Sequence, residues 1–353
     1  MAPPSDAAGG SSLVYSEAVV GEAARAVANE FRGTLDRVQA LAGAAGRLAT
    51  DDDLRLHVQF LLVAAETSEP ELFAEYIRWQ RSLMEARGLP LQMLATTLAA
   101  IGAHLSSQMP FDAQSKIEAV VDTGKQALTE GTIAPGQLYH KYLPEPSPSV
   151  DRLVESLVAG DPSSCRSIAE KEARRSGQFL PLALHLFQPA MYRVGLMWQR
   201  GEISVAQEHM ATAIVQTLLT QFYSASPFDP PTGRRVLFAA VQGNRHALGL
   251  RMVSDAFDLA GWSVCYLGAD TPTEALVDQA LLWRPDIVGL SASMAHQLPD
   301  LRNAVAALRA TIGPDCPSLL VGGLALNQID EIWRWTGADT WGSDARQALK
   351  TAA

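Results

Sequence analysis

Three short stretches carry residue types that could hold a ligand. Asn244-Arg245-His246-Ala247-Leu248-Gly249 follows the apolar run VLFAAV (236–241) and opens the amphipathic segment LGLRMVSDAFDLAG. Ser291-Ala292-Ser293 closes the run DIVGLSA (286–292), and Gly322-Gly323 closes SLLVGG (318–323). The first offers an imidazole and the second two hydroxyls without bulk. The third offers backbone that can approach a ligand closely. No GxGxxG or Walker-type GxxxxGK pattern is present to cradle a nucleotide. No second His, Cys or carboxylate stands nearby at metal-ligand spacing, which argues against a protein-only zinc site. A lone imidazole beside a slot lined by Ser and Gly suits a cofactor that brings its own metal and needs one axial ligand. The histidine taken alone suits better a helix-capping loop residue of a flavodoxin-like fold. No Ser-His-Asp or paired-carboxylate arrangement accompanies it, so the expectation is a binding protein and not an enzyme.

The elements that must position these residues follow from the alternation of patterns. Short β-branched runs at 236–241, 263–268, 286–292, 318–323 and 338–342 alternate with helical segments at 247–260, 273–283, 297–312, 325–336 and 343–350. This order predicts a doubly wound parallel sheet, Rossmann-like, over 234–353, wrapped by helices on both faces. The runs are apolar without strict alternation, as in strands buried on both sides. Ligands of such sheets sit beyond the carboxyl ends of the strands, where all three stretches fall. Upstream, helical segments at 149–159, 162–176, 180–200 and 203–224 predict a four-helix bundle over 148–226.

The spacing of the three stretches resembles the signature of cobalamin-binding domains: DxHxxG, about 41 residues, SxL, about 26–28 residues, then GG. Here 41 residues (250–290) separate Gly249 from Ser291, and 28 (294–321) separate Ser293 from Gly322. The resemblance implies that His246 is the lower ligand to cobalt, so that the cofactor is held base-off and His-on. It implies too that the displaced nucleotide tail runs between Ser291, Ser293, Gly322 and Gly323. Two positions depart from the signature. Asn244 stands where the family has an acid, and Ser293 where it has Leu. An acid there accepts from the imidazole and raises its basicity; an Asn carbonyl can orient the ring without charge.

The bundle carries Trp198, nine residues, then Glu208-His209, a Wx9EH pattern. This resembles the helical cap of light-sensing adenosylcobalamin proteins, including carotenogenesis repressors. There the Trp fills the upper axial face beside the adenosyl group, and Glu and His contact adenosyl or close the pocket; Val205 belongs to the same set. An indole can pack on adenine, and a carboxylate can accept from ribose hydroxyls or the adenine amino group. Alone, the pattern suits a buried Trp and a surface Glu-His pair. In the repressors a His after the Trp captures cobalt in the light; here that residue is Gln199. The basic helix-turn-helix module of the repressors has no counterpart in this sequence.

Residues 13–135 read as wholly helical, and the stretch FAEYIRWQRSLMEARGLPLQML (73–94) resembles globin-like sensor domains of stressosome and phytochrome-related proteins. Ser68 is expected to cap the helix that Pro70 opens and Gly88 with Pro90 closes. Domain order and cap are similar to those of the photocobilins, which implies biliverdin as a second chromophore. Arg78, Trp79 and His104, with Arg81, Arg87 and His57, could serve a bilin's propionates and pyrroles. They serve equally as core and solvated face. No cysteine precedes Cys165, so such attachment is noncovalent.

Residues 1–12 are expected to be a disordered tail, and 132–151, with Pro135, Pro144, Pro146 and Pro148, a connector. The chain has 353 residues, 48% hydrophobic, with net charge −10. That charge argues against nucleic acid or an anionic membrane as partner. Three isolated cysteines, no signal-peptide pattern and no apolar run of about 18 residues predict a cytoplasmic protein. The reading that joins these features is a photoreceptor whose cobalamin chemistry changes its conformation and homo-oligomeric state. The alternative is a corrinoid protein that carries methyl groups between methyltransferases. The downstream partner is not legible.

Overall fold

The computed structural model describes residues 16–42, 51–130, 147–176 and 179–352. The expected tail, and Pro135, Pro144 and Pro146 of the connector, lie outside the described residues. The chain divides into two compact units, Met1–Ile133 and Ala134–Ala353. Among the described residues no helix is long and apolar enough to cross a membrane.

The described residues of the first unit form five helices: α1 (Glu17–Ala42), α2 (Asp51–Thr67), α3 (Pro70–Ala86), α4 (Leu91–Gln108) and α5 (Phe111–Thr129). Apolar residues at helical spacing supply its core, among them Val58, Leu61, Leu62, Phe73, Ile77, Leu98, Ile101 and Ile117. Ser68 does not cap α3. It sits in the left-handed region at φ 58°, and Glu69 takes the N-cap position without a side-chain bond. The helix ends as expected. Gly88 at φ 66° lets the Leu89 amide turn back to the Met84 carbonyl at 2.9 Å.

The second unit begins with α6 (Pro148–Ala159) and α7 (Pro162–Ser176). The third expected helix is not one continuous rod. It runs as α8 (Phe179–Leu182), a π-helical turn (Ala183–Phe187), and α9 (Gln188–Gln199). Pro189 explains the break: it has no N–H for the His185 carbonyl four residues back, and the Gln188 amide reaches Ala183 instead. α10 (Val205–Ser224) starts at a capping box, in which Ser204 accepts from the Gln207 amide and the Gln207 side chain accepts from the Ser204 amide. These helices close on Leu153, Leu157, Phe187, Val194, Val215 and Leu218, all buried.

The remainder alternates as predicted: β1 (Arg235–Val241), α11 (Leu248–Leu259), β2 (Ser263–Thr271), α12 (Thr273–Trp283), β3 (Ile287–Ser291), α13 (Leu298–Ile312), β4 (Ser318–Gly322), α14 (Leu324–Asn327), β5 (Thr340–Gly342) and α15 (Ala345–Ala352). The strands pair in parallel in the order β2-β1-β3-β4-β5. The order reverses between β1 and β3, and a doubly wound sheet opens its ligand crevice at that reversal. The expected helix 325–336 is broken. α14 stops at Asn327, whose carboxamide turns to the Ser343 carbonyl at 3.0 Å. Glu331 adopts φ 64°, and only a 3-10 turn (Ile332–Thr336) follows.

The bundle packs on the sheet domain through α11. Met252 of α11 is buried in the bundle's cluster, and Leu248 and Leu259 pack against it. Tyr223 of α10 donates to Asp258. Leu184, on the π-helical turn, packs with Ala256 and Ala345.

Candidate functional site

His246 lies on the loop between β1 and α11, at the carboxyl end of the strand beside the reversal. The residue is accessible at the surface, yet enough protein surrounds its ring that desolvation lowers its pKa. The Glu208 carboxylate, from the first turn of α10, acts in the opposite sense and does not overcome burial. The ring is therefore neutral at neutral pH, the form with a lone pair free for a metal. This coupling also places the bundle's Glu208 within electrostatic reach of the sheet's His246.

Asn244 is 0% exposed and does not address the imidazole ring as expected. Its Oδ1 accepts from the His246 backbone amide at 3.1 Å, and its Nδ2 donates to the Ser291 carbonyl at 2.9 Å. The side chain joins the β1 loop to the end of β3. The reason is reach: a two-bond side chain buried between two loops meets their main chains first.

The double glycine also has a different reason from the expected one. A Cβ on Gly323, at φ 102°, would lie 2.2 Å from the Ala292 carbonyl oxygen and 2.9 Å from Ser291 Oγ. One on Gly322 would lie 3.0 Å from the Gly342 carbonyl oxygen. The glycines let the β3, β4 and β5 ends close on one another, and the approach is backbone to backbone. Gly249 differs. Apart from its chain neighbours and the helix's own backbone, no atom lies within 4 Å of a Cβ built there, so the first turn of α11 leaves open space at that point. Ser293 Oγ donates to the His246 carbonyl at 3.5 Å, which brings the second and first stretches together.

In the bundle, Glu208 is held by its neighbours. Its Oε2 meets His209 Nδ1 at 2.6 Å, and its Oε1 accepts from Thr212 at 2.9 Å. The His209 side chain is 75% exposed, and Val205 is exposed as well. Trp198 is half-buried and packs on the cluster that Leu248 also joins, while Gln199 is buried.

Three residues that bear on this site were missed. Gln297 and Asp270 tie the His246 loop to its neighbours. The Gln297 carboxamide accepts from the Ser293 and Met294 amides and donates to the Gly243 carbonyl. Asp270, at φ 51°, accepts from the Gly243 amide and donates its own amide to the Asn244 carbonyl. The third is His296, an imidazole fifty residues on that folding brings within electrostatic reach of His246. Burial and the neighbouring His246 push its pKa down to about 4. No spacing rule flags any of them, because each acts across the sheet's end. Even so, no group of three His, Cys, Asp or Glu among the described residues could hold a metal by itself.

Three of the residues expected to meet a bilin, Arg78, Arg81 and His57, have polar partners within the first unit. Arg78 pairs with Glu71, with Glu75 at 2.7 Å and with Glu130 at 3.2 Å. Arg81 pairs with Glu85 and donates to the Glu130 carbonyl. His57 is 6% exposed, and its Nδ1 meets Tyr76 Oη at 2.7 Å; Gln80 Nε2 donates to the same hydroxyl oxygen. Trp79 and His104 are half-buried.

Two family models match this second unit, and both describe a B12 binding domain, over residues 149–222 and 234–350. The HTH-type transcriptional repressor CarA of Myxococcus xanthus is 37% identical over 130 residues, 36% of this chain and 43% of that protein. CarH of the same organism, also an HTH-type transcriptional repressor, is 31% identical over 137 residues, 39% of this chain and 45% of that protein. Dimethylamine corrinoid protein 3 of Methanosarcina mazei is 26% identical over 166 residues, 46% of this chain and 97% of that protein. The chain thus spans less than half the length of the two repressors.

Proposed function

We propose that this protein is a light sensor that binds adenosylcobalamin base-off and His-on, and that it is not an enzyme. One observation carries the reading: His246 stands at the carboxyl end of β1, beside the reversal of a parallel sheet, and a helical bundle packs on α11, the helix that its loop opens. The fit is supported by the open space at Gly249 and by a donor set of one neutral imidazole, which suits a metal already held by a macrocycle. Adenosylcobalamin would supply a light-labile cobalt–carbon bond whose cleavage changes conformation and oligomeric state. His246 would hold it from below. Asn244, Ser291, Ser293, Gly249, Gly322 and Gly323 would shape the tail's surroundings, while Trp198, Val205, Glu208 and His209 would close the upper side. Likeness to two repressors supports a regulatory role. The net charge of −10 argues against nucleic acid as this chain's own partner. The reading extends to noncovalent biliverdin on the N-terminal unit, with Arg78, Trp79 and His104 as contacts, Arg78 exchanging its carboxylate partners for a propionate.

The test is reconstitution with adenosylcobalamin in the dark. The wild type takes up the cofactor with the absorption of an imidazole-ligated corrin, and His246→Ala loses that signature. Illumination then changes both spectrum and elution volume; if neither changes, the light-sensing reading is wrong. Co-expression with biliverdin synthesis yields a far-red band, and its absence removes the second chromophore. A second reading, a corrinoid methyl carrier, draws support from the match that spans 97% of a dimethylamine corrinoid protein. Preference for methylcobalamin over adenosylcobalamin would favour it.

A further inference from the structure

We infer that Gln297 is a positioning residue for His246, holding the β1 and β3 loops in the spacing that axial ligation needs. The inference rests on the corrinoid reading above and concerns a residue outside all three sequence stretches. Gln297 is 2% exposed, in the turn that precedes α13. Its Oε1 accepts two backbone amides of the β3 loop, from Ser293 at 2.9 Å and Met294 at 3.0 Å. Its Nε2 crosses to the β1 loop and donates to the Gly243 carbonyl at 3.2 Å. Gly243 lies three residues before His246. A carboxamide alone among side chains of this length offers both an acceptor and a donor fixed in one plane.

The bond set is closed from both sides. Asn244 fastens the same loop to Ser291, and Asp270 fastens Gly243 and Asn244 from the β2 side. Two buried carboxamides and one carboxylate therefore determine where the His246 main chain stands. A side chain that ligates a metal from a short loop inherits the placement of that main chain. Partners that orient a ligand without touching the metal typically govern affinity by roughly 10–100-fold.

Gln297→Glu keeps the two accepted bonds and sets a carboxylate oxygen against the Gly243 carbonyl. Gln297→Met keeps the volume and loses all three bonds. In full-length protein titrated with hydroxocobalamin, each variant binds at least about tenfold more weakly than wild type. The bound fraction shifts toward the spectrum of His246→Ala, while the unbound variant keeps its circular dichroism. A folded variant with wild-type affinity and an imidazole-ligated spectrum overturns the inference. Hydrogen exchange on the unbound wild type supplies an arm that needs no variant: the Ser293 and Met294 amides are protected, and exchange at free-loop rates overturns the inference. If wild type takes up no cobalamin, the parent reading fails, and the exchange arm still decides whether the brace exists.

Discussion

Replacing Asn244 by Asp restores the acid of the cobalamin-binding signature, and the structure predicts that the unbound protein suffers for it. Asn244 is 0% exposed and donates to the Ser291 carbonyl at 2.9 Å. A carboxylate cannot donate, so the change leaves a buried carbonyl facing a buried negative oxygen. The bond that Oδ1 accepts from the His246 amide survives and offsets part of the cost. Loss of the donor and burial of the charge together cost about 2–4 kcal/mol at pH 7. The acid's escape is to stay protonated and donate its proton to Ser291, which raises its folded pKa above the unfolded value of about 3.9. Between those two pKa values the folded state holds a proton that the unfolded state has lost, so stability falls as pH rises. The deficit against wild type therefore shrinks by about 1–3 kcal/mol between pH 7 and pH 5. Guanidinium unfolding of the unbound full-length chain at the two pH values measures it. A variant as stable as wild type at pH 7, or a deficit that grows on acidification, would refute the hydrogen-bond assignment and return Asn244 to the imidazole.

Three further outcomes follow from other contacts. Gly323→Ala forces a Cβ to 2.2 Å from the Ala292 carbonyl oxygen at φ 102°, and thermal unfolding should register a loss of about 3 kcal/mol. Ser204→Ala removes the capping box of α10 and lowers stability by about 1 kcal/mol, measured by urea unfolding. It also loosens the turn that carries Glu208. Burial holds His57 at a pKa of about 4, so from about pH 6.5 downward the unfolded state takes a proton that the folded state refuses. Stability of the wild type falls by about 2–3 kcal/mol from this group between pH 7 and pH 4.5, and His57→Gln flattens that limb.

The sequence by itself determined the elements and their order. Apolar runs too short for helices, set between amphipathic segments, leave a parallel sheet as the way to bury both kinds of face. The spacing from His246 through Ser291 to Gly322 then puts the three stretches at strand ends, because strand and helix lengths fix where each loop falls. Interruptions inside helices were less legible. Pro189 removes the N–H that would continue the ladder, but that the Gln188 amide reaches back to Ala183 in a π turn is visible only in the structure. The break after Asn327 depends on a carbonyl sixteen residues away. What only the tertiary structure decided is who holds whom at the site. Asn244 and Gln297 meet partners 47 and 54 residues distant, and Arg78 reaches a carboxylate 52 residues on. Hydrogen bonds form between groups that folding brings within about 3 Å, and no local pattern encodes that distance.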